Sequence, residues 1–183
     1  MRAKWLRVTW LAGLAAACGA GHAIFNVDVY SFIKGTGKDT IPPSGYVVPP
    51  GPSFSASSVQ KIDLPGAGSS IVDSVIVAGA LSIQNQAGSG TIGLQIYLAA
   101  DSAGTYNASA LALTVPDFTV SGAAVTTDTI VGRLSAAVLS LFAGKTLWVR
   151  LQATATNNGA VPLQGKAVLT ALRLTVVMDD KFF

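Results

Sequence analysis

The sequence predicts an all-β protein: an antiparallel β-sandwich, jelly-roll-like, with one short helix near 134–143. Three observations predict it. Val, Ile and Thr abound while good helix formers are scarce, and all nine acidic residues are Asp, with no Glu. Apolar and polar residues alternate with a period of two in several runs. Gly, Pro, Asn and Ser clusters separate those runs at the spacing expected of a sandwich or barrel. The 183 residues suffice for one domain with a real core.

Residues 24–33, IFNVDVYSFI, alternate Phe25, Val27 and Val29 with Asn26, Asp28 and Tyr30, and read as a first strand. Residues 34–53 carry Pro42, Pro43, Pro49, Pro50 and Pro52. These forbid helix and favour extended chain, so the stretch reads as a semi-rigid Pro/Gly-rich loop lying along the domain. A strand over 54–64 follows. Residues 71–86 place Ile71, Val75, Val77, Leu81 and Ile83 on one face, with Gly79 marking a bulge or bend. After the turn AGSG, residues 91–100 give the clearest alternation, with Ile92, Leu94, Ile96 and Leu98 inward. Residues 109–121 and 124–132 are further strands.

Residues 134–143 break the period. Leu134, Val138 and Leu141 share a helical face, and Gly144 is the stop. The next run alternates Leu147, Val149 and Leu151 with Trp148, Arg150 and Gln152. Asn158-Gly159 signals a turn. A last strand over 166–178 places Val168, Leu172, Leu174 and Val176 on one face.

The N-terminus is of a different kind. MRAKWLR is basic, VTWLAGLAAA is a short apolar run, and Ala15 and Ala17 form an A-x-A pattern before Cys18. That is the anatomy of a secretory signal peptide over 1–17. The apolar run is shorter than the roughly 20 residues a spanning helix needs. Small residues at 15–17, then Cys18 and Gly19, resemble a bacterial lipobox, although Leu14 stands one place early and Ala15 occupies the usual Leu position. The resemblance implies a lipoprotein. Cys18 becomes residue one, carries a thioether-linked diacylglycerol, and anchors a tether over 18–23 ahead of a single domain over 24–183. Several acyl chains give stable anchoring where one is marginal. Ordinary signal cleavage, with Cys18 incidental, also predicts export. The single cysteine rules out internal disulfides.

Charge excludes a partner class. Three of the twelve bases, Arg2, Lys4 and Arg7, lie before residue 18; beyond it nine bases face nine Asp. The remainder is neutral and has no basic cluster with interleaved aromatics, so no nucleic acid partner is expected.

Chemistry is sparse. His22 is the only histidine and falls in the expected tether, away from any packed triad. One His and one Cys give no zinc set. KGTGKDT, residues 34–40, lacks the phosphate-loop spacing and leads into prolines rather than a helix. Asp28, Asp63, Asp73 and Asp128 are carboxylates that the sequence alone cannot pair. In DSAGTYN, Asp101, Ser102 and Asn107 offer calcium-type oxygens, with Asp101 and Asn107 the candidate ligands, but these are also plain turn residues. Trp148 is a candidate contact residue whose alternative is burial. No catalytic residue and no cofactor is nominated.

The expectation is a non-enzymatic, membrane-tethered structural or binding protein of the bacterial cell envelope. It would be exported and lipid-anchored at the outer membrane or cell surface. Its partners would be the membrane, through the lipid, and an envelope protein or glycan, with homo-oligomers as a further expectation. The alternative is a secreted fibre or surface-layer subunit assembling by β-strand addition, with 24–33 as the donated segment. A small outer-membrane barrel and an enzyme are the remaining readings.

Overall fold

The computed structural model describes residues 21–66 and 71–180. The signal-like segment and Cys18 lie outside the described residues. Nine strands run in chain order: β1 Gly21–Asp28, β2 Thr40–Val48, β3 Ser53–Asp63, β4 Ile71–Ala87, β5 Ser89–Ala99, β6 Leu111–Ser121, β7 Ala124–Arg133, β8 Thr146–Asn157 and β9 Leu163–Asp180. A five-residue helix, α1 (Val29–Ile33), follows β1, and its N-terminus is capped by the Asp28 carboxylate, which accepts from the Ser31 N–H.

The strands form two antiparallel sheets. Sheet A has the order β1-β9-β4-β7, with β2 also pairing β9; sheet B has the order β3-β8-β5-β6. The β1 and β2 strands share one edge of β9, at 173–180 and 163–168 respectively. The orders 2-9-4-7 and 3-8-5-6 are those of an eight-stranded jelly roll. Between the sheets lies a single aliphatic core, including Val75, Val77, Leu81, Ile92, Leu94, Ile96, Leu147, Val149, Leu172 and Leu174. Two open sheets packed face to face over an apolar interior replace the barrel alternative.

The alternation in β5 and β8 places its aliphatics as expected: Ile92, Leu94, Ile96, Leu98, Leu147, Val149 and Leu151 are all buried. Elsewhere the chain departs from the expected pattern. The first strand begins earlier and ends sooner than 24–33. Gly21, His22 and Ala23 pair with Asp180, Asp179 and Met178, so half of the expected tether is strand. Because β1 completes its own sheet, 24–33 is not a strand offered to a neighbour.

The proline-rich stretch contains β2. Thr40–Ile41 and Tyr46–Val48 pair with β9, and residues between them loop out of the ladder around the cis Ile41–Pro42 bond. Proline is tolerated there because β2 is an edge strand.

Two bulges shift side chains between faces. In β4 the register slips between Val72 and Ser74, which turns Ile71 outward to 50% exposure and brings Val72 in. In β9 Thr170 is the extra residue: Leu81 faces Leu169 and Ala80 faces Ala171. Ala167 and Leu169 are therefore buried, and Val168 is not. The Thr170 hydroxyl donates to the Ala80 carbonyl at 3.1 Å and closes the bulge.

The expected helix is a 3₁₀ segment over Ala136–Ala143 that buries Val138 and Phe142 rather than Leu141. Its tighter winding, three residues per turn, changes which side chains face inward.

The two ends of the sandwich differ. At one end the chain crosses between sheets through Gly88 and Gly122, both at positive φ. The Gly122 N–H donates to the Gly88 carbonyl at 2.9 Å. Asn85 donates to both carbonyls, at 3.1 Å to Gly88 and 2.6 Å to Gly122. Asn157, not Asn158, organises the β8–β9 connection, donating to Val48 and Val161 carbonyls and accepting from Gly159. The opposite end, where β1 starts, carries the longer connections, with 3₁₀ turns at Ala103–Tyr106 and Ala108–Ala110 as well as 136–143.

Candidate binding face

The outer face of sheet B gathers the most chemistry. Alternation on β8 projects Trp148, Arg150, Gln152 and Thr154 away from the core, and β5 adds Gln95 and Tyr97 beside them. The ladder sets Tyr97 opposite Arg150 and Gln95 opposite Gln152. On the other flank β3 sets Lys61 opposite Trp148 and Ser55 opposite Thr154, whose hydroxyls lie 2.9 Å apart.

Arg150 alternates with the aliphatics of β8 and so lies on the outer face of the sheet. It is only 4% exposed. The β5–β6 connection folds over it. Its guanidinium carbon lies 3.7 Å from the centroid of the Tyr97 ring and 4.7 Å from that of Tyr106. Its Nε donates to the Thr105 carbonyl at 2.9 Å, and Nη1 donates to Gln152 Oε1. Two aromatic faces and two oxygens thus replace the water that a buried cation loses. The Tyr97 hydroxyl donates to Gln95 Oε1 at 2.9 Å and extends the polar network along the sheet. Tyr106 remains 62% exposed, so one ring face is fixed from beneath by Arg150 while the residue is open to solvent.

Beside this cluster a depression of about 180 Å³ is lined by Gly93, Gln95, Thr114, Val115, Asp117 and Thr154. A Cβ at Gly93 would come within 2.7 Å of Asp117 Oδ1, so Gly93 leaves the Asp117 carboxylate room at this depression. Amides, hydroxyls, one carboxylate and a supported tyrosine ring make a surface of hydrogen-bonding and stacking groups.

Trp148 sits on this face, half-buried between Lys61 of β3 and Ala99 of β5. Asp101 and Asn107 lie on the rim of another depression, about 310 Å³, with Gly104 and Ser109. The Asp101 carboxylate accepts the Gly104 N–H at 2.7 Å and shapes the 3₁₀ turn. Among the described residues no group of three or more His, Cys, Asp or Glu comes together. His22 is placed in β1 opposite Asp179. Asp28, Asp63 and Asp128 lie on separate strands, with Asp28 capping α1. Sequence reasoning missed Arg150, Tyr97 and Tyr106. The signal was an arginine at an alternating position within reach of a loop tyrosine.

No protein-family model matches the chain, and no curated protein matches it. Solved structures are similar at low level. One is an infectious bursal disease virus particle protein (Gx strain): TM-score 0.36, 12% identity, covering 89% of this chain and 33% of that one. Another is a protein of Parabacteroides distasonis described as secreted: TM-score 0.35, 16% identity, covering 70% of this chain and 39% of that one. A third is TmCBM61, solved with β-1,4-galactotriose: TM-score 0.33, 10% identity, covering 86% and 88%. The chain spans 33% and 39% of the length of the first two of these. Among the described residues no helix is long and apolar enough to cross a membrane.

Proposed function

We propose that this protein is a non-enzymatic binding module of the bacterial cell envelope, exported and held at the membrane by a lipid on Cys18. The outer face of sheet B would meet an envelope glycan or protein. The observation that carries the reading is the arrangement of the N-terminus: a basic segment, a short apolar run and a small-residue stretch ending in Cys18, with β1 under way three positions later at Gly21. Three residues span at most about 10 Å, so a lipid on Cys18 would hold the 3₁₀-bearing end of the sandwich close to the membrane. The outer face of sheet B, running along the strands, would stand away from the bilayer and remain accessible.

The binding role draws on the supported Tyr106 ring, the Gln95–Gln152 amides and the adjoining depression, which suit hydroxyl-rich ligands. The test is the mass of the mature N-terminus after expression in a bacterial host, beside a Cys18→Ala control. An acylated Cys18 that disappears in the control supports the reading. An unmodified N-terminus at or beyond residue 18 removes the anchor and leaves a freely secreted protein.

A further inference from the structure

The edges of the two sheets are treated differently. On the β2 edge, Pro42 lies in a stretch that leaves the ladder. On the β3 edge the Val59 carbonyl is taken by Lys38 Nζ at 3.2 Å. The β6 edge carries Pro116 and two register shifts against β5. The β1 edge runs only eight residues before α1 turns the chain away. Prolines, lysines and bulges are the means by which sheets blunt their edges.

The β7 strand, AVTTDTIVGR, has no proline, lysine or bulge, and its edge carries one side-chain cap, the Asp128 carboxylate. It pairs with β4 through ten consecutive residues without a register shift. Its β-branched side chains Val125 and Val131 are 71% and 74% exposed. Beside them on the outer face of sheet A lie Ile76, itself exposed, and Ala78, which faces Val131 across the ladder.

The hydrogen bonds show which groups face outward. The Leu134 N–H donates to Val75 of β4 at 3.0 Å, so even-numbered residues bond inward to the sheet. The Thr129 N–H instead donates to Asp128 Oδ1 at 2.7 Å. Residues 125, 127, 129 and 131 therefore direct their N–H and C=O groups to the free edge. Asp128 caps the central one.

We propose that β7 is the edge through which two copies of this chain pair, antiparallel about Thr129, with Asp128 limiting the strength of the contact. The sequence is self-complementary in that register. Thr129 faces its own copy, Thr127 faces Val131, Val125 faces Arg133 and Asp128 faces Ile130. No like charges are opposed, and Thr–Thr and Thr–Val pairs are favourable cross-strand neighbours. The two β4-β7 edges join into one continuous sheet, and the exposed valines gain partners. This does not depend on the lipid anchor.

The test uses the full chain carrying Cys18→Ala. Adding Thr129→Cys should give a disulfide dimer on mild oxidation, because residues facing each other in an antiparallel ladder lie about 5.5 Å apart, within disulfide reach. Thr127→Cys alone and Val131→Cys alone should not, whereas the two together should. Sedimentation over a concentration series should show association tightened about tenfold by Asp128→Ala, which frees the Thr129 N–H. Thr129→Pro should abolish association; it removes a donor that no native ladder bond uses. A chain that stays monomeric even with Asp128→Ala overturns the proposal. So does a dimer that neither cross-links at 129 nor responds to Thr129→Pro.

Discussion

Arg150 ties the β5–β6 connection to the sheet beneath it. Its donors hold the Thr105 carbonyl and the Gln152 amide, and its planar group fills the gap between Tyr97 and Tyr106. Removing it leaves a buried carbonyl unpaired and a ring unsupported. Arg150→Ala should destabilise the protein by about 2–4 kcal/mol in chemical denaturation. Amide exchange should accelerate over 103–110 before it does elsewhere. Arg150→Lys keeps the charge but loses the fork, and should fall between.

Tyr46 is the second residue with a distinct chemical signature. Its ring lies across the β2–β9 pair, its hydroxyl is buried without a partner, and a Cβ at Gly165 would stand 2.7 Å from that hydroxyl. Burial pushes its phenol up from 10.0 to about 12. The folded state therefore holds the proton more tightly than the unfolded chain. Its contribution to stability is intact below pH 10 and is lost as pH rises through about 12. Denaturation midpoints between pH 9 and 12 should fall more steeply in the native protein than in Tyr46→Phe. Matching slopes would show that Tyr46 is not the titrating group.

At the level of strands, legibility followed periodicity. The β5 and β8 strands are uninterrupted alternations with buried aliphatics on one side, and a period of two suffices to orient them. The β4 and β9 strands also alternate, but a bulge adds one residue and inverts the faces beyond it. Gly79 marks a bulge or bend in the sequence, but nothing there says which strand takes the extra residue, so Ile71 and Val168 read as inward when they are not. The β2 strand was hidden because proline argues against strand, and the argument fails at an edge where only part of the strand pairs. The candidate face was legible in Trp148, Gln152 and Gln95 as outward residues. It was illegible in Arg150, whose burial depends on a loop closing from 45 residues away.

Gly79 shows the same coupling. It faces Leu172 next to the Thr170 bulge, and a Cβ there would lie 2.6 Å from the Ala171 carbonyl. Gly79→Ala must push the central β4–β9 pair apart. A loss of about 1–3 kcal/mol is expected, read as a lower denaturant midpoint at unchanged slope. Gly122→Ala, with nothing within 4 Å of its Cβ, carries only the cost of a positive φ and should be milder.

At the scale of the whole molecule, the jelly roll makes one strand the partner of three others. The β9 strand hydrogen-bonds β1, β2 and β4, and it comes after all of them in the chain. Sheet A then has no centre until residue 180 is available, and the amino-terminal strands have nothing to pair with while the rest is being made. A chain ending at residue 162 should lack cooperative unfolding and bind hydrophobic dyes, where the whole chain does not. Such a topology is slow to close, since its pairings span most of the sequence. A partly made chain therefore stays open, and folding waits for β9.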